Sequence, residues 1–206
     1  RERTKSLWSS VPYKFMFGWQ NVNVTGDWIA YAKNAKHCFN VVDGIEDVKF
    51  CQDLLHGVKD SYDFTVWGDK SEQIYEASET GYGCRNIKFC VNCWQADSDI
   101  EYSIDCHSSS NLFGCMGLRK KSYCILNRQY SKEEYEDLRN KIIAHMEVVP
   151  YKDARGRIYG YGEFFPPEFS PFAYNETSAQ DYIPLTREAA VGVGYQWRDP
   201  EVREYQ

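Results

Sequence analysis

The stretch Ala35–Gly68, AKHCFNVVDGIEDVKFCQDLLHGVKDSYDFTVWG, contains one short pattern three times. Each copy has an apolar residue, Lys, any residue and then Cys or Ser, followed by a polar–apolar alternation that ends at Gly. The copies are Ala35–Gly44, Val48–Gly57 and Val58–Gly68. The same opening returns at Ile87 and, with Glu in place of Lys, at Ile100. Units this short suit one strand plus a turn, because helical hairpin repeats need about thirty residues or more.

The repeat predicts a mainly β fold, a parallel β-solenoid of the β-helix type. We expect two or three units to make one coil, with side chains alternating between two faces at period two. In such a stack Cys38, Cys51 and Ser61 would align into inward ladders of small residues. The competing fold is an antiparallel sandwich, which also has many short strands. The near-identical openings of the units favour the solenoid.

Residues 131–147 are predicted to form an α-helix that caps the last coil. Ser131 lies three residues before Glu134, which is the spacing of a capping box. One apolar stripe follows at helical spacing, Tyr135, Leu138, Ile142 and Met146. We expect this stripe to lie against residues 123–126, because the end of a repeat stack needs a cap.

The remaining segments flank the solenoid repeats of residues 26–130. Residues 1–25 form an N-terminal edge segment. Residues 148–206 contain a hairpin turning at 153–156, an irregular aromatic strap at Phe164–Tyr174, a short helix from Thr186 and a charged tail. Three prolines in the strap exclude a regular helix or a central strand. We expect all of residues 148–206 to pack on the solenoid, with the strap sealing its flank.

Composition limits the class of partner. The net charge of −6 argues against duplex nucleic acid, because phosphate binding needs a basic face. No run approaches the ~20 apolar residues of a membrane span. Aromatic residues make up 16% of the chain, so rings are either stacked inside or presented to a ligand. A protein or carbohydrate surface is the partner that this composition allows.

The eight cysteines have two interpretations. An even count allows disulfides, but secreted disulfide scaffolds are usually much shorter than this chain. Free cysteines behave as small buried hydrophobes, which suits ladder positions. We therefore expect mainly reduced thiols and, with no signal peptide at Arg1, a cytoplasmic protein.

A CxxC motif suggests a metal site. Zinc needs four thiolate or imidazole ligands, and a CxxC supplies two of them from one turn. The candidate zinc ligands are Cys84, Cys90, Cys93 and Cys106. A second CxxC is absent, and ladder packing gives the same spacing, so the alternative is a chain without a cofactor.

An acidic run next to the CxxC is the candidate catalytic group. It consists of Asp97, Asp99, Glu101 and Asp105. Carboxylates at alternate positions of one strand share a face, and a carboxylate pair can serve as general acid and base in sugar cleavage. The alternative is a solvated strand face, since charged residues are mostly exposed.

Three segments carry a resemblance to a family. They are Phe113–Leu138, FGCMGLRKKSYCILNRQYSKEEYEDL, Gly162–Ala190, GEFFPPEFSPFAYNETSAQDYIPLTREAA, and Gly194–Asp199. These resemble segments of an uncharacterised cysteine- and tyrosine-rich repeat family of candidate-phyla bacteria. Its longer members carry a zinc ribbon and further repeats before this region, which implies that Arg1 is an internal start. The resemblance implies no activity and no catalytic residues.

Three functions remain open. The first is a non-enzymatic structural or binding module, which a long, ring-rich repeat surface suits. The second is a carbohydrate-active β-helix hydrolase or lyase that uses the carboxylates at 97–105. The third is a zinc-supported module of a larger nucleic-acid-linked protein. We favour the first, because the sequence reveals no reaction.

Overall fold

The computed structural model describes residues 2–12 and 14–199. A helix, α1 (Glu2–Ser10), lies in the N-terminal segment, where the sequence predicted none. The chain then winds into a mostly parallel β-solenoid of about eight turns, which confirms the predicted fold class. Its strands in chain order are β1 (Gly18–Trp19), β2 (Gly26–Lys36), β3 (Cys38–Lys49), β4 (Gln52–Leu55), β5 (Lys59–Gly68), β6 (Glu72–Thr80), β7 (Arg85–Val91), β8 (Ser98–Glu101), β9 (Ser110–Phe113), β10 (Ser122–Ile125) and β11 (Arg128–Gln129).

One sequence unit forms one complete coil. Ser61 pairs in parallel with Val48, which lies 13 residues before it. Leu112 pairs with Ile100, which lies 12 residues before it. The expectation that two or three units make one coil is therefore wrong.

Side chains enter the interior of the coil, its lumen, at every third residue. Between Ile29 and Val41, whose strands pair in register, the inward residues are Ala32, Ala35 and Cys38, each at most 4% exposed. The residue before each inward one has a left-handed φ, as at Asn34 (54°) and Asn40 (53°). Each such residue makes a corner, and Asn and Asp tolerate this conformation better than most side chains. The predicted period of two is wrong because four sides of three residues close a 12-residue coil, and a 13-residue coil has one side of four residues, as between Val41 and Ile45.

Stacked inward side chains form the core. Ile74, Ile87, Ile100 and Leu112 occupy one position on four successive coils, and each is at most 1% exposed. Burying each of these side chains contributes roughly 1.5–3 kcal/mol. The lumen is narrow because only four inward residues meet in each coil.

Two asparagine side chains replace missing backbone pairings near the solenoid ends. The Asn127 amide accepts from Met116 N at 2.8 Å and donates to Met116 O at 2.9 Å. Asn21 donates to Ile29 O at 2.6 Å and accepts from Ala32 N at 3.1 Å. At the C-terminal end β11 also pairs antiparallel with β10, so a hairpin covers the sheet edge.

The helix α2 (Lys132–Val148) begins and ends one residue later than predicted. Its capping box is confirmed: Glu134 N donates to Ser131 Oγ at 3.2 Å, and Ser131 N donates to Glu134 Oε2 at 2.9 Å. Of the predicted stripe only Tyr135 is buried, and its ring lies 5.8 Å from that of Tyr123. Leu138 and the rest of the stripe are half-buried, and their contact with the last coil stays a prediction.

The chain divides into two compact units, residues 1–135 and 136–206. In the second unit β12 (Tyr151–Lys152) and β13 (Ile158–Tyr159) form the predicted hairpin. Asp153 organises its turn, because Oδ1 accepts from Arg155 N and Arg157 N at 2.9 Å. Its Oδ2 accepts from Arg157 Nε at 2.5 Å. Burial alone would raise the pKa of Asp153, but these bonds hold it below its ordinary value.

The rest of the second unit is built from short elements. Two 3-10 turns, Pro167–Phe169 and Tyr174–Glu176, precede α3 (Ala179–Tyr182) and α4 (Arg187–Gly192). Thr186 caps α4 as predicted, with Ala189 N donating to Thr186 Oγ1 at 3.2 Å. Sealing of the solenoid by the strap stays a prediction, and Arg1, Tyr13 and the end of the tail, 200–206, lie outside the described residues. No helix in the described ranges is both long and apolar enough to cross a membrane.

Candidate functional site

All eight cysteines are free thiols buried in the lumen. Each follows a corner residue of left-handed φ, which is why each side chain points inward. The corner residues are His37, Phe50, Gly83, Phe89, Asn92, Asp105, Gly114 and Tyr123. Cys51 Sγ shows the usual bonding: it donates to Lys49 O at 3.3 Å or to Ser61 O, one coil later, at 3.7 Å. Burial raises the pKa of the Cys84 thiol to about 12, which keeps it protonated and poorly nucleophilic.

The four predicted zinc ligands lie on three successive coils. Cys93 and Cys106 occupy the same inward position on adjacent coils, and the Cys93 thiol interacts with the thiols of Cys106 and Cys90. Cys84 Sγ instead lies 3.7 Å from Cys93 O. Within the described ranges, no group of three or more Cys, His, Asp or Glu residues is arranged to hold a metal ion. The zinc site stays a prediction.

Asp97, the first of the predicted catalytic carboxylates, points into the lumen and is 0% exposed. Its Oδ1 accepts from Ser109 N at 2.6 Å, whereas Oδ2 has no hydrogen-bond partner among the described residues. Burial raises the pKa of Asp97 to about 7, although hydrogen bonds from the Ser109 and Trp94 amides oppose this shift. The carboxyl is therefore a titrating group inside a packed interior.

The other three carboxylates lie elsewhere on the coil. Asp99 and Asp105 are exposed corner residues, and each accepts a hydrogen bond from an asparagine one coil earlier. Glu101 is 4% exposed and lies 3.5 Å from Lys88 Nζ. The four residues thus do not share one face, because inward positions recur at period three. A catalytic role for them stays a prediction.

Two outer ladders were not predicted from the sequence. Corner asparagines donate to corner aspartates 13 residues later, as Asn34 does to Asp47 at 2.7 Å. Beside them runs a charge ladder of alternating sign, in which each residue pairs in register with the next: Lys33, Glu46, Lys59, Glu72 and Arg85. The charge ladder places opposite charges one coil apart, so a shift of the pairing by one coil would oppose like charges. The signal was present as Asn, Asp, Lys and Glu at a spacing of 13.

A third ladder consists of rings and is the candidate binding surface. The outer ring ladder contains His37, Phe50, Tyr62, Tyr75, Phe89, Tyr102 and Phe113, one per coil. Neighbouring ring centroids are 4.6–5.8 Å apart. Phe50 and Tyr62 are 42% and 37% exposed, whereas Phe89 and Phe113 are 1% and 6% exposed. Solvent therefore reaches the N-terminal part of this ladder.

The rings of this ladder contact one another in stacked, edge-on and tilted arrangements. His37 and Phe50 are stacked with an interplanar angle of 20°, and Tyr62 stands at 88° to Phe50. Lys49 Nζ lies 4.6 Å from the Phe50 centroid and 5.6 Å from that of Tyr62. The face of Phe50 is thus used inside the ladder, and its rim and the Tyr62 hydroxyl remain for a partner.

Comparison of the chain with protein-family models, with curated proteins and with solved structures gives no match. The resemblance to the cysteine- and tyrosine-rich repeat family stays a prediction.

Proposed function

We propose that the solenoid is a non-enzymatic binding module whose exposed ring section, His37 to Tyr75, contacts a protein partner. The observation that carries this proposal is a row of rings fixed by the coil register and left open to solvent at one end. Rigid rings lose little conformational entropy on binding, and Tyr is enriched in protein interfaces. A row held by the backbone is organised before the partner arrives.

A protein partner is favoured over a carbohydrate by the ring orientation. A sugar ring stacks on an open aromatic face, but the face of Phe50 is shared with His37 and Lys49. Rims, hydroxyls and mixed charges suit the polar and apolar mixture of a protein surface. Lys49 and Asp63 supply charges of both signs beside the rings.

The non-enzymatic part of the proposal is supported by the carboxylates. Asp99 and Asp105 are engaged in corner hydrogen bonds, and Asp97 is enclosed in the lumen. None of these three is both open to a substrate and free of a structural partner. Eight free thiols support a reducing compartment such as the cytoplasm.

Site-directed photo-crosslinking in the cells that produce the protein tests this proposal. A benzophenone side chain would replace Phe50 or Tyr62, and a matched control would replace Phe39, which is 48% exposed outside the ladder. We expect a discrete cross-linked protein from positions 50 and 62 and none from position 39. Equal yields at all three positions, or no product at 50 and 62, would contradict the proposal. A product with the mass of two copies of this chain would identify the partner as the protein itself.

A further inference from the structure

The second unit contains a cavity of about 230 Å³ between the aromatic strap and the C-terminal segment. Its walls include Pro167, Phe172, Tyr174 and Tyr195. The rings of Tyr174 and Tyr195 lie 4.9 Å apart at an angle of 35°. A backbone hydrogen bond joins the strap to the C-terminal segment: Tyr174 N donates to Gln196 O at 2.8 Å. A cavity of this size takes one small group rather than a drug-sized ligand.

Most polar side chains that line the cavity already donate hydrogen bonds to backbone carbonyls of the second unit. Ser170 Oγ donates to Phe172 O at 3.0 Å, and Thr177 Oγ1 donates to Tyr174 O at 2.8 Å. Tyr174 Oη donates to Ile183 O at 2.6 Å. Gln196 Nε2 donates to Glu168 O at 3.0 Å, which leaves its Oε1 as an acceptor. Tyr195 Oη is the lining donor that makes no hydrogen bond to another described residue.

Within the described residues, the cavity lining therefore offers ring faces and the Gln196 side-chain oxygen, and few donors that are not already engaged. Its surroundings are also acidic: residues 158–186 contain Glu163, Glu168, Glu176 and Asp181 and no Lys or Arg. Two nearby arginines are paired with carboxylates, Arg157 with Asp153 at 2.5 Å and Arg198 with Glu176 at 2.6 Å, and a third, Arg155, lies against Gly194. A group that donates several hydrogen bonds and carries positive charge complements this lining, because a cation also interacts favourably with ring faces.

We propose that this cavity binds an organic cation of the guanidinium class. A guanidinium is planar, stacks on tyrosine rings and carries donors for the lining oxygens. The site is independent of the outer ring ladder, so it stands or falls separately from the binding function proposed for the solenoid.

Titration of the whole chain with methylguanidinium, followed by NMR of the Tyr174 and Tyr195 rings, tests the proposal. N-methylurea is the matched neutral ligand, since it has similar shape but no charge. We expect saturable shifts of both tyrosines with methylguanidinium and none with methylurea. Equal responses to the two ligands, or non-saturable shifts, would overturn the proposal. A second arm compares Gly-Arg-Gly with Gly-citrulline-Gly: tighter binding of the arginine peptide than of methylguanidinium assigns the cation to a peptide side chain, and weaker binding to a free small molecule.

Variants locate the binding. Tyr195→Leu removes one ring face and should weaken methylguanidinium binding several-fold. Tyr195→Phe keeps the ring and removes the one uncommitted donor, so its affinity should match or exceed that of the wild type. Tyr182→Leu changes a ring in the same unit that is 84% exposed and does not line the cavity, and it should leave the affinity unchanged. Unchanged affinity in Tyr195→Leu, or loss in Tyr195→Phe, would place the cation elsewhere.

Discussion

Asp97 and Ser109 occupy the same inward position on successive coils, and the Ser109 amide donates to Asp97 Oδ1 at 2.6 Å. An equivalent bond joins Ser71 to Cys84, which lies one coil later. Its acceptor is an uncharged hydroxyl, because Cys84 N donates to Ser71 Oγ at 3.1 Å. A neutral acceptor is thus sufficient for this position. The carboxyl of Asp97 adds a group that titrates inside the lumen.

This geometry predicts a pH-dependent stability difference between the wild type and Asp97→Asn. Burial raises the pKa of Asp97 from its ordinary 3.8 to about 7. The folded state therefore holds the proton more tightly than the unfolded state. The contribution of the protonated carboxyl to the stability of the folded state is full below pH about 4, and it is lost as the pH rises to about 7. Between pH 4 and pH 8 the stability of the wild type should therefore fall, relative to that of Asp97→Asn, by up to roughly 4 kcal/mol.

Urea unfolding of both proteins from pH 4 to pH 8 measures this difference. The exposed corner substitution Asp99→Asn is the control and should follow the wild type. A difference between Asp97→Asn and the wild type that does not grow with pH would contradict the raised pKa.

The lumen predicts the reactivity of the cysteines. All eight thiols are buried, so a folded sample should react slowly with an alkylating reagent at pH 7. The same sample should take up eight labels after unfolding without a reductant. Mass spectrometry counts the labels, and fewer than eight after unfolding would reveal disulfides that this structure does not contain.

The charge ladder predicts the effect of reversing one sign. Glu46 lies between Lys33 Nζ at 2.6 Å and Lys59 Nζ at 3.6 Å. Glu46→Lys places three cations in line and should lower the melting temperature, more at low salt than at high salt. Glu46→Gln removes the attraction without adding repulsion. Its melting temperature should lie between those of Glu46→Lys and the wild type. Equal melting temperatures for all three proteins at low salt would show that the ladder does not stabilise the register.

The start of α2 predicts an order of stability for two helix variants. Tyr135 is 4% exposed and contacts Tyr123, whereas Leu138 is half-buried. Tyr135→Ala should cost about 3 kcal/mol or more, as large buried aromatics do. Leu138→Ala should cost less than about 2 kcal/mol, since part of its side chain stays in water. Urea unfolding measures both, and a larger cost for Leu138→Ala would mean that the whole stripe is buried.

The solenoid could be predicted because the units around Cys38, Cys51 and Ser61 open alike. The number of residues in one coil could not be predicted, because many corner positions carry residue types that are typical of strands. Phe50 and Tyr102 are corner residues of left-handed φ, at 55° and 51°, although rings of this kind are typical of extended strands. At such positions the residue type does not indicate that the backbone φ is left-handed.

The assumed period of two also led to a wrong arrangement of the candidate catalytic carboxylates. At period two, Asp97 and Asp99 share a face. At period three Asp97 joins Ile100 in the lumen, and Asp99 becomes a corner. The recurrence of Asn or Asp directly before a small apolar residue, as in Asn34-Ala35 and Asp47-Val48, was the available signal.

One measurement tests most directly whether one unit is one coil, on which the thiol positions, the ring ladder and the charge ladder all depend. Ile74, Ile87 and Ile100 stand in register on three successive coils. Adjacent coils are about 4.8 Å apart, so methyl NOEs should link Ile74 to Ile87 and Ile87 to Ile100 in a methyl-labelled sample. Strong NOEs between Ile74 and Ile100 without those to Ile87 would show a coil of two units and contradict this account.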